Sequence, residues 1–152
     1  MLNFYTTEFR NIIVEGGSIS EVELLKRRAS SFLELARYSL GRGLYDMAAF
    51  NAEQAAQLYL KATLLELVGD FPRTHSILYL LGELKRISEA KVEDFVRRNK
   101  RRLHVLEDAY LTSRYFYKFF DREDAEDLVS VAEEVIRLCE ELRRGVGKGE
   151  DA

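Results

Sequence analysis

From Ser20 onward the apolar residues recur every three to four positions, the period of an α-helix packed along one side. Val22, Leu25, Ala29, Phe32, Leu33, Ala36 and Leu40 make the first stripe. Ser20 with Glu23 reads as a capping box at its start, and "GRG" at 41–43 supplies the glycines that end a helix. A second helix is expected from about Tyr45 to Val68, stopped by Gly69 and by Pro72 just beyond. Thr74 is the expected cap of a short third helix through Lys85. Ser88 opens a fourth, with Val92, Phe95, Val96, Leu103, Leu106 and Tyr110 as its seam. Asp121 opens a fifth, whose stripe is Ala125, Leu128, Val129, Ala132, Val135, Ile136, Cys139 and Leu142. Residues 20–144 therefore predict one all-α domain, an antiparallel helical bundle of about five helices with short loops. Residues 1–19 form an N-terminal arm in which "NIIVEGG" fits a short extended segment, and "GVGKGEDA", residues 145–152, is expected to be a flexible tail.

The second helix departs from a simple stripe. Ala48, Ala52, Ala55, Ala56, Tyr59 and Thr63 share one side, and Met47, Leu58 and Leu65 lie on the other, so the helix is apolar nearly all round and should be buried. Yet Asn51, Gln54 and Lys61 fall on that second side. An amide or ammonium buried without partners costs several kcal/mol. These three residues therefore belong either to an internal hydrogen-bond network, with the Lys61 stem reaching for water, or to a polar pocket or subunit contact.

Composition narrows the class. A length of 152 residues, 47% hydrophobic and 32% charged, is that of a globular domain with its own core. No apolar run approaches a membrane span, and "MLNFYTTEFR" does not read as a signal peptide. The single cysteine, Cys139, leaves no internal disulfide and fits a reducing cytoplasm. Two histidines with scattered carboxylates make no metal site, and no cofactor is expected. Four Asn and two Gln beside abundant Arg and Glu suggest a hot-growing source.

Net charge is only −3, but it is segregated: residues 85–104 hold eight Lys or Arg against three acids, and residues 121–152 hold eleven acids against five bases. The densest basic stretch is "RRNKRRLH", residues 97–104. It reads as a solvated helix face, as a patch for a phosphate or nucleic acid, or as an RNA-cleaving site. On a regular helix Arg97, Arg101 and His104 share one face opposite the apolar seam, whereas Arg98 and His104 stand roughly 120° apart. Asn99 points inward with Val92, Phe95 and Leu103.

Two longer stretches carry a family resemblance. "GLYDMAAFNAEQAAQLYLKATLLELVGDFPRTHSILYLL", residues 43–81, resembles the core of the HEPN domain family: a Gly-Leu-Tyr lead-in, small residues, Gln-Ala-Ala, Lys-Ala, then a Pro-x-Thr-His turn. "YLTSRYFYKFF" at 110–120 resembles that family's aromatic-Ser-Arg-Tyr segment. The likeness covers roughly residues 20–140. Gln57 stands where the family usually has an acid, and Phe116 where a Pro is common. The resemblance implies an all-α bundle that often forms homodimers. It also implies either a metal-independent ribonuclease or a non-catalytic, nucleotide-associated partner of a small nucleotidyltransferase, frequently as a toxin–antitoxin pair.

The ribonuclease branch resembles an Arg, often with a polar residue directly after it, then four to six residues, then a His that moves the proton of a ribose 2′-hydroxyl while the Arg stabilises phosphate charge. Arg98-Asn99 with His104 has that lettering, and Arg97 has the better angular register. In the family the Arg usually follows the fourth helix's apolar stretch, which here is Arg114, and no His follows Arg114 at a useful distance. His75, one of the chain's two histidines, sits beside Arg73 and Thr74 at the start of the third helix and reads as local turn chemistry; the resemblance implies instead that Arg73, Thr74 and His75 face a pocket shared with Lys61. The expected binding set is Asn51, Gln54, Lys61, Arg73, His75 and Arg114, for a nucleotide, RNA or partner protein. The expected catalytic set, should there be one, is His104 with Arg97 or Arg98. The aromatics at 110–120 fit a core end or dimer interface better than a base-stacking surface.

Overall fold

The computed structural model describes the backbone of residues 2–115 and 120–147, and the side chains of residues 20–111 and 120–147. The described residues form five α-helices and no strand: α1 (Leu2–Gly41), α2 (Tyr45–Leu67), α3 (Ile77–Glu83), α4 (Glu89–Tyr115) and α5 (Arg122–Gly147), with a single 3₁₀ turn, Leu84–Arg86, after α3. They pack as an antiparallel bundle, with α2 in contact with all four of the others.

α1 takes in the stretch read as an N-terminal arm, so Ser20 and Glu23 lie inside the helix and do not start it. The preceding turn already receives the backbone N–H groups that a cap would serve. Gly43 (φ 75°) closes α1: the Leu44 amide donates to the Ser39 carbonyl at 2.9 Å and the Gly43 amide to Leu40 at 3.2 Å. This glycine-terminated reversal turns the chain straight into α2. α5 opens on a reciprocal box, the Asp124 amide donating to Asp121 Oδ1 at 2.8 Å and the Asp121 amide to Asp124 Oδ2 at 3.2 Å.

The third helix starts later than its sequence suggests. Ser76, and not Thr74, is the cap; its Oγ accepts from the Tyr79 amide at 3.0 Å. Thr74 instead accepts from the Ser76 amide at 3.1 Å, holding the approach. Ser76 wins because Glu107 of α4 secures it: Glu107 Oε1 accepts from Ser76 Oγ at 2.5 Å and from the Leu78 amide at 3.1 Å. A carboxylate at a helix N-terminus satisfies unpaired N–H groups and meets the positive end of the dipole.

Alanines make the centre. Ala48, Ala49, Ala52, Ala55, Ala56 and Ala62 of α2 are fully buried, and their small side chains let neighbouring helices approach closely. Leu60 and Leu64, Leu80, Leu81 and Leu84, Leu103 and Leu106, and Leu128 and Val135 fill the spaces between. α2 is not covered all round, however. Met47 is exposed, and Asn51, Gln54, Leu58, Lys61 and Leu65 are only half-buried. The four contacting helices cover the rest of α2 and leave this stripe partly hydrated. Cys139 is a free, buried thiol whose pKa is pushed up to about 12 by desolvation.

Candidate functional site

Two polar surfaces meet on α4. One is a cluster between α2, the 69–76 loop and α4. Glu53, Gln57 and Lys61 stand four residues apart on α2, in one row of the helix. Glu53 is 0% exposed and Gln57 4%, while Lys61 is half-buried. Gln57 Nε2 donates to Glu53 Oε2 at 2.8 Å, and Gln54 Nε2 donates to Glu53 Oε1 at 2.7 Å. Lys61 Nζ donates to Gln57 Oε1 at 3.0 Å, and His75 Nδ1 lies 3.3 Å from the same oxygen. Lys61 also sits over the Phe71 ring, 5.7 Å from its centroid, close enough for a cation–π contact.

Burial sets the electrostatics here. Desolvation raises the Glu53 pKa to about 7, against the lowering pull of its Gln57 and Gln54 hydrogen bonds and of the Lys61 charge. Desolvation also lowers the Lys61 pKa, and the Glu53 charge only partly opposes it. Gln54, Lys61 and His75 thus gather around two residues that the sequence did not mark for the binding set, Glu53 and Gln57. The signal was present as the four-residue spacing in "EQAAQLYLK", but an acid among alanines reads as solvent-facing until its neighbours are known. Asn51 stands apart, its Nδ2 donating to the Met47 carbonyl of its own helix at 2.8 Å. Arg73 is exposed on the loop beside His75.

The second surface is the basic run. α4 bends at Asn99 (φ −122°, ψ 15°). The two angles depart from helical values in opposite senses by similar amounts, so the axis bends while the side chains keep about 100° per residue. Asn99 is 5% exposed and faces inward as expected; its Nδ2 donates to the Phe95 carbonyl at 3.0 Å and its Oδ1 accepts from Arg102 Nη1 at 2.8 Å. Arg102 turns away from the basic face to α5, pairing with Asp127 at 2.8 Å and Glu134 at 2.9 Å. It clamps the bend to the next helix.

That leaves Arg97, Arg98, Lys100, Arg101 and His104, all exposed. Arg97 and Arg98 share one anion, Asp94, at 2.5 and 2.9 Å. Asp94 is held below its usual pKa, first by the Arg98 hydrogen bond. No acid among the described residues pairs with Lys100 or Arg101, and nothing there holds the His104 ring. The Arg114 backbone belongs to α4, while its side chain, like those of Ser113 and Tyr115, lies outside the described residues, as do residues 116–119 entirely. Among the described residues no group of three His, Cys, Asp or Glu is placed to hold a metal ion, and no helix is long and apolar enough to cross a membrane.

The chain matches the HEPN domain family over residues 22–142. Among solved structures it is similar to TT1696 from Thermus thermophilus, with 30% identity and a TM-score of 0.66 over 80% of this chain and 97% of that one. It also shares its fold with ST0689, described as an archaeal HEPN homologue, with 22% identity and a TM-score of 0.59 over 86% of this chain and 98% of that one. No curated protein matches.

Proposed function

Because this chain belongs to the HEPN domain family, we propose that it works by binding: it takes an anionic ligand, RNA or a nucleotide, on the basic face of α4. It does so as the non-catalytic component of a two-gene, toxin–antitoxin-type module with a small nucleotidyltransferase, in the cytoplasm. The observation that carries the reading is the exposed set Lys100, Arg101 and His104 beside Arg97 and Arg98, with one carboxylate, Asp94, answering it locally. Phosphate contacts need cations that no internal acid already occupies.

The alternative, a metal-independent endoribonuclease with His104 as general acid/base and Arg97 or Arg98 on the phosphate, fits less well. A catalytic imidazole needs a partner that orients its ring, and His104 has none among the described residues. Both arginines are already drawn to Asp94. In EDTA, wild type and His104→Ala are both expected to bind a labelled single-stranded RNA and to leave it intact. Cleavage by wild type but not by the variant would reverse the assignment.

A homodimer belongs to the same reading. Tyr38 (59% exposed), Leu44 (52%) and Met47 (46%) leave an apolar area around the α1–α2 turn, next to the partly covered stripe of α2. Burying such a patch is what a second copy would do. Sedimentation equilibrium at micromolar concentration should give a dimer for wild type and a monomer for Tyr38→Glu/Met47→Glu; a monomeric wild type removes this element.

A further inference from the structure

Gln57 has its amide orientation fixed from both ends. Its Nε2 donates to Glu53, and its Oε1 receives the Lys61 ammonium, which can only donate. His75 Nδ1, 3.3 Å from that same oxygen, must therefore carry the proton, which leaves Nε2 as the outward acceptor of the neutral ring. The imidazole is pinned along one edge.

It is also pinned on one face. The His75 ring stacks on Tyr110 with centroids 5.5 Å apart and planes 9° from parallel, and Tyr110 stacks on Phe50 at 5.8 Å and 26°. Three rings thus climb from α2 across α4 to the loop. Phe50 and Tyr110 are half-buried, and His75, the last, is exposed. Several other aromatic faces are covered by cations of the chain itself: Tyr59 by Lys26, Tyr38 by Arg42 and Phe71 by Lys61. Among the described residues no such cation covers the outer face of His75. Ordinarily an exposed imidazole rotates freely, and a ligand that stacks on it must first immobilise it. Here the ring is already ordered, so that entropy loss is not incurred on binding.

From this we propose that His75 is a nucleobase-stacking subsite, with Arg73, exposed two residues upstream, contacting the phosphate attached to that base. A flat, π-rich ring would become the fourth member of the ladder, as bases do on aromatic platforms in single-strand binding surfaces. The guanidinium supplies the planar donor that phosphate favours. The subsite deepens the binding function proposed above and rests on that reading for its biological ligand. Tyr110 lies six residues beyond His104 on α4, about 9 Å along the axis and roughly 120° around it, so a strand of a few nucleotides must wrap partway round α4 to join the basic face to the subsite. The base belongs either to a free nucleotide or to such a strand.

The chain holds two histidines, so proton NMR of the full-length protein resolves the subsite directly, with His104→Gln assigning the signals. Adenosine 5′-monophosphate is expected to move the His75 ring protons upfield, while ribose 5-phosphate, which carries no base, leaves them in place. A tetra-adenylate strand should shift His75 and His104 together if the base comes from RNA, and His75 alone if the site takes free nucleotides; either pattern supports stacking. His75→Phe should retain adenosine monophosphate binding, and His75→Ala should weaken it at least about fivefold. Since His75 is exposed, neither substitution disturbs the core. His75 signals that ignore adenosine monophosphate, or that respond equally to ribose 5-phosphate, overturn the subsite. If the strand binds while His75 stays silent, the subsite fails and the basic face stands. If His75 responds to the mononucleotide while no strand binds, the subsite stands and RNA as the ligand of the basic face falls.

Discussion

Between pH 5 and pH 8 the wild-type protein is expected to lose stability on the order of 3 kcal/mol through Glu53 alone, and Glu53→Gln is expected to abolish that slope. Glu53 is fully buried with its pKa raised to about 7, above the ordinary value of 4.5 that it has in an unfolded chain. Between those values the native state holds a proton that the unfolded state has released. Stability must then fall as pH rises through that window and level off above it. The carboxylates with depressed pKa values, Glu66 and Asp94, act in the opposite sense and below the ordinary carboxylate range, outside this window. A glutamine at position 53 does not titrate, so its cost is constant: one acceptor is lost to the Gln54 or Gln57 amide, about 1–3 kcal/mol. Urea unfolding at pH 5, 6, 7 and 8 reads both curves. A flat wild-type profile would mean that water reaches Glu53.

The reason to keep so costly a residue lies at the other end of the row. Glu53 fixes the Gln57 amide, Gln57 fixes the His75 tautomer and the Lys61 ammonium, and only then is the exposed ring presented in one orientation. The chain tolerates a pH-sensitive carboxyl in its core, and a surface group is ordered by it.

What the sequence disclosed and what it hid divide along the range of the interactions involved. The helical stripes are periodic and local, so Val92, Phe95, Leu103 and Leu106 of α4, or Ala125 to Leu142 of α5, were legible as core. The Asp121 start of α5 was legible for the same reason, since its partner Asp124 is three residues away. The cap of α3 was not, because Ser76 is selected by Glu107, thirty-one residues on. The bend at Asn99 had no glycine or proline to announce it; an inward amide returning to the Phe95 carbonyl marks it. Arg102 read as one more surface base until Asp127 and Glu134 of α5 claimed it. Gln54 and Lys61 stood out as polar residues on an apolar helix and His75 through the family resemblance, yet Glu53, the group that links them, carried no mark because its burial depends on contacts remote in sequence.

Reversing the charges that no acid answers is expected to have the largest effect on binding. Lys100→Glu/Arg101→Glu replaces two attractive contacts with two repulsive ones, about tenfold in affinity for each. Both side chains are exposed, and no acid among the described residues pairs with them, so the fold should survive, which thermal unfolding can confirm. Salt supplies the second readout: each phosphate contact adds about 0.7 to the slope of log K against log salt for a single strand, so the double variant should be shallower by about 1.4. The decisive measurement is therefore fluorescence anisotropy of a labelled single-stranded RNA with wild type and Lys100→Glu/Arg101→Glu over a salt series. Wild type should bind in a salt-sensitive manner, and the variant should bind on the order of a hundredfold more weakly with a shallower slope. Equal affinity and equal slope for the two proteins would contradict a binding face on α4 and place the surface elsewhere.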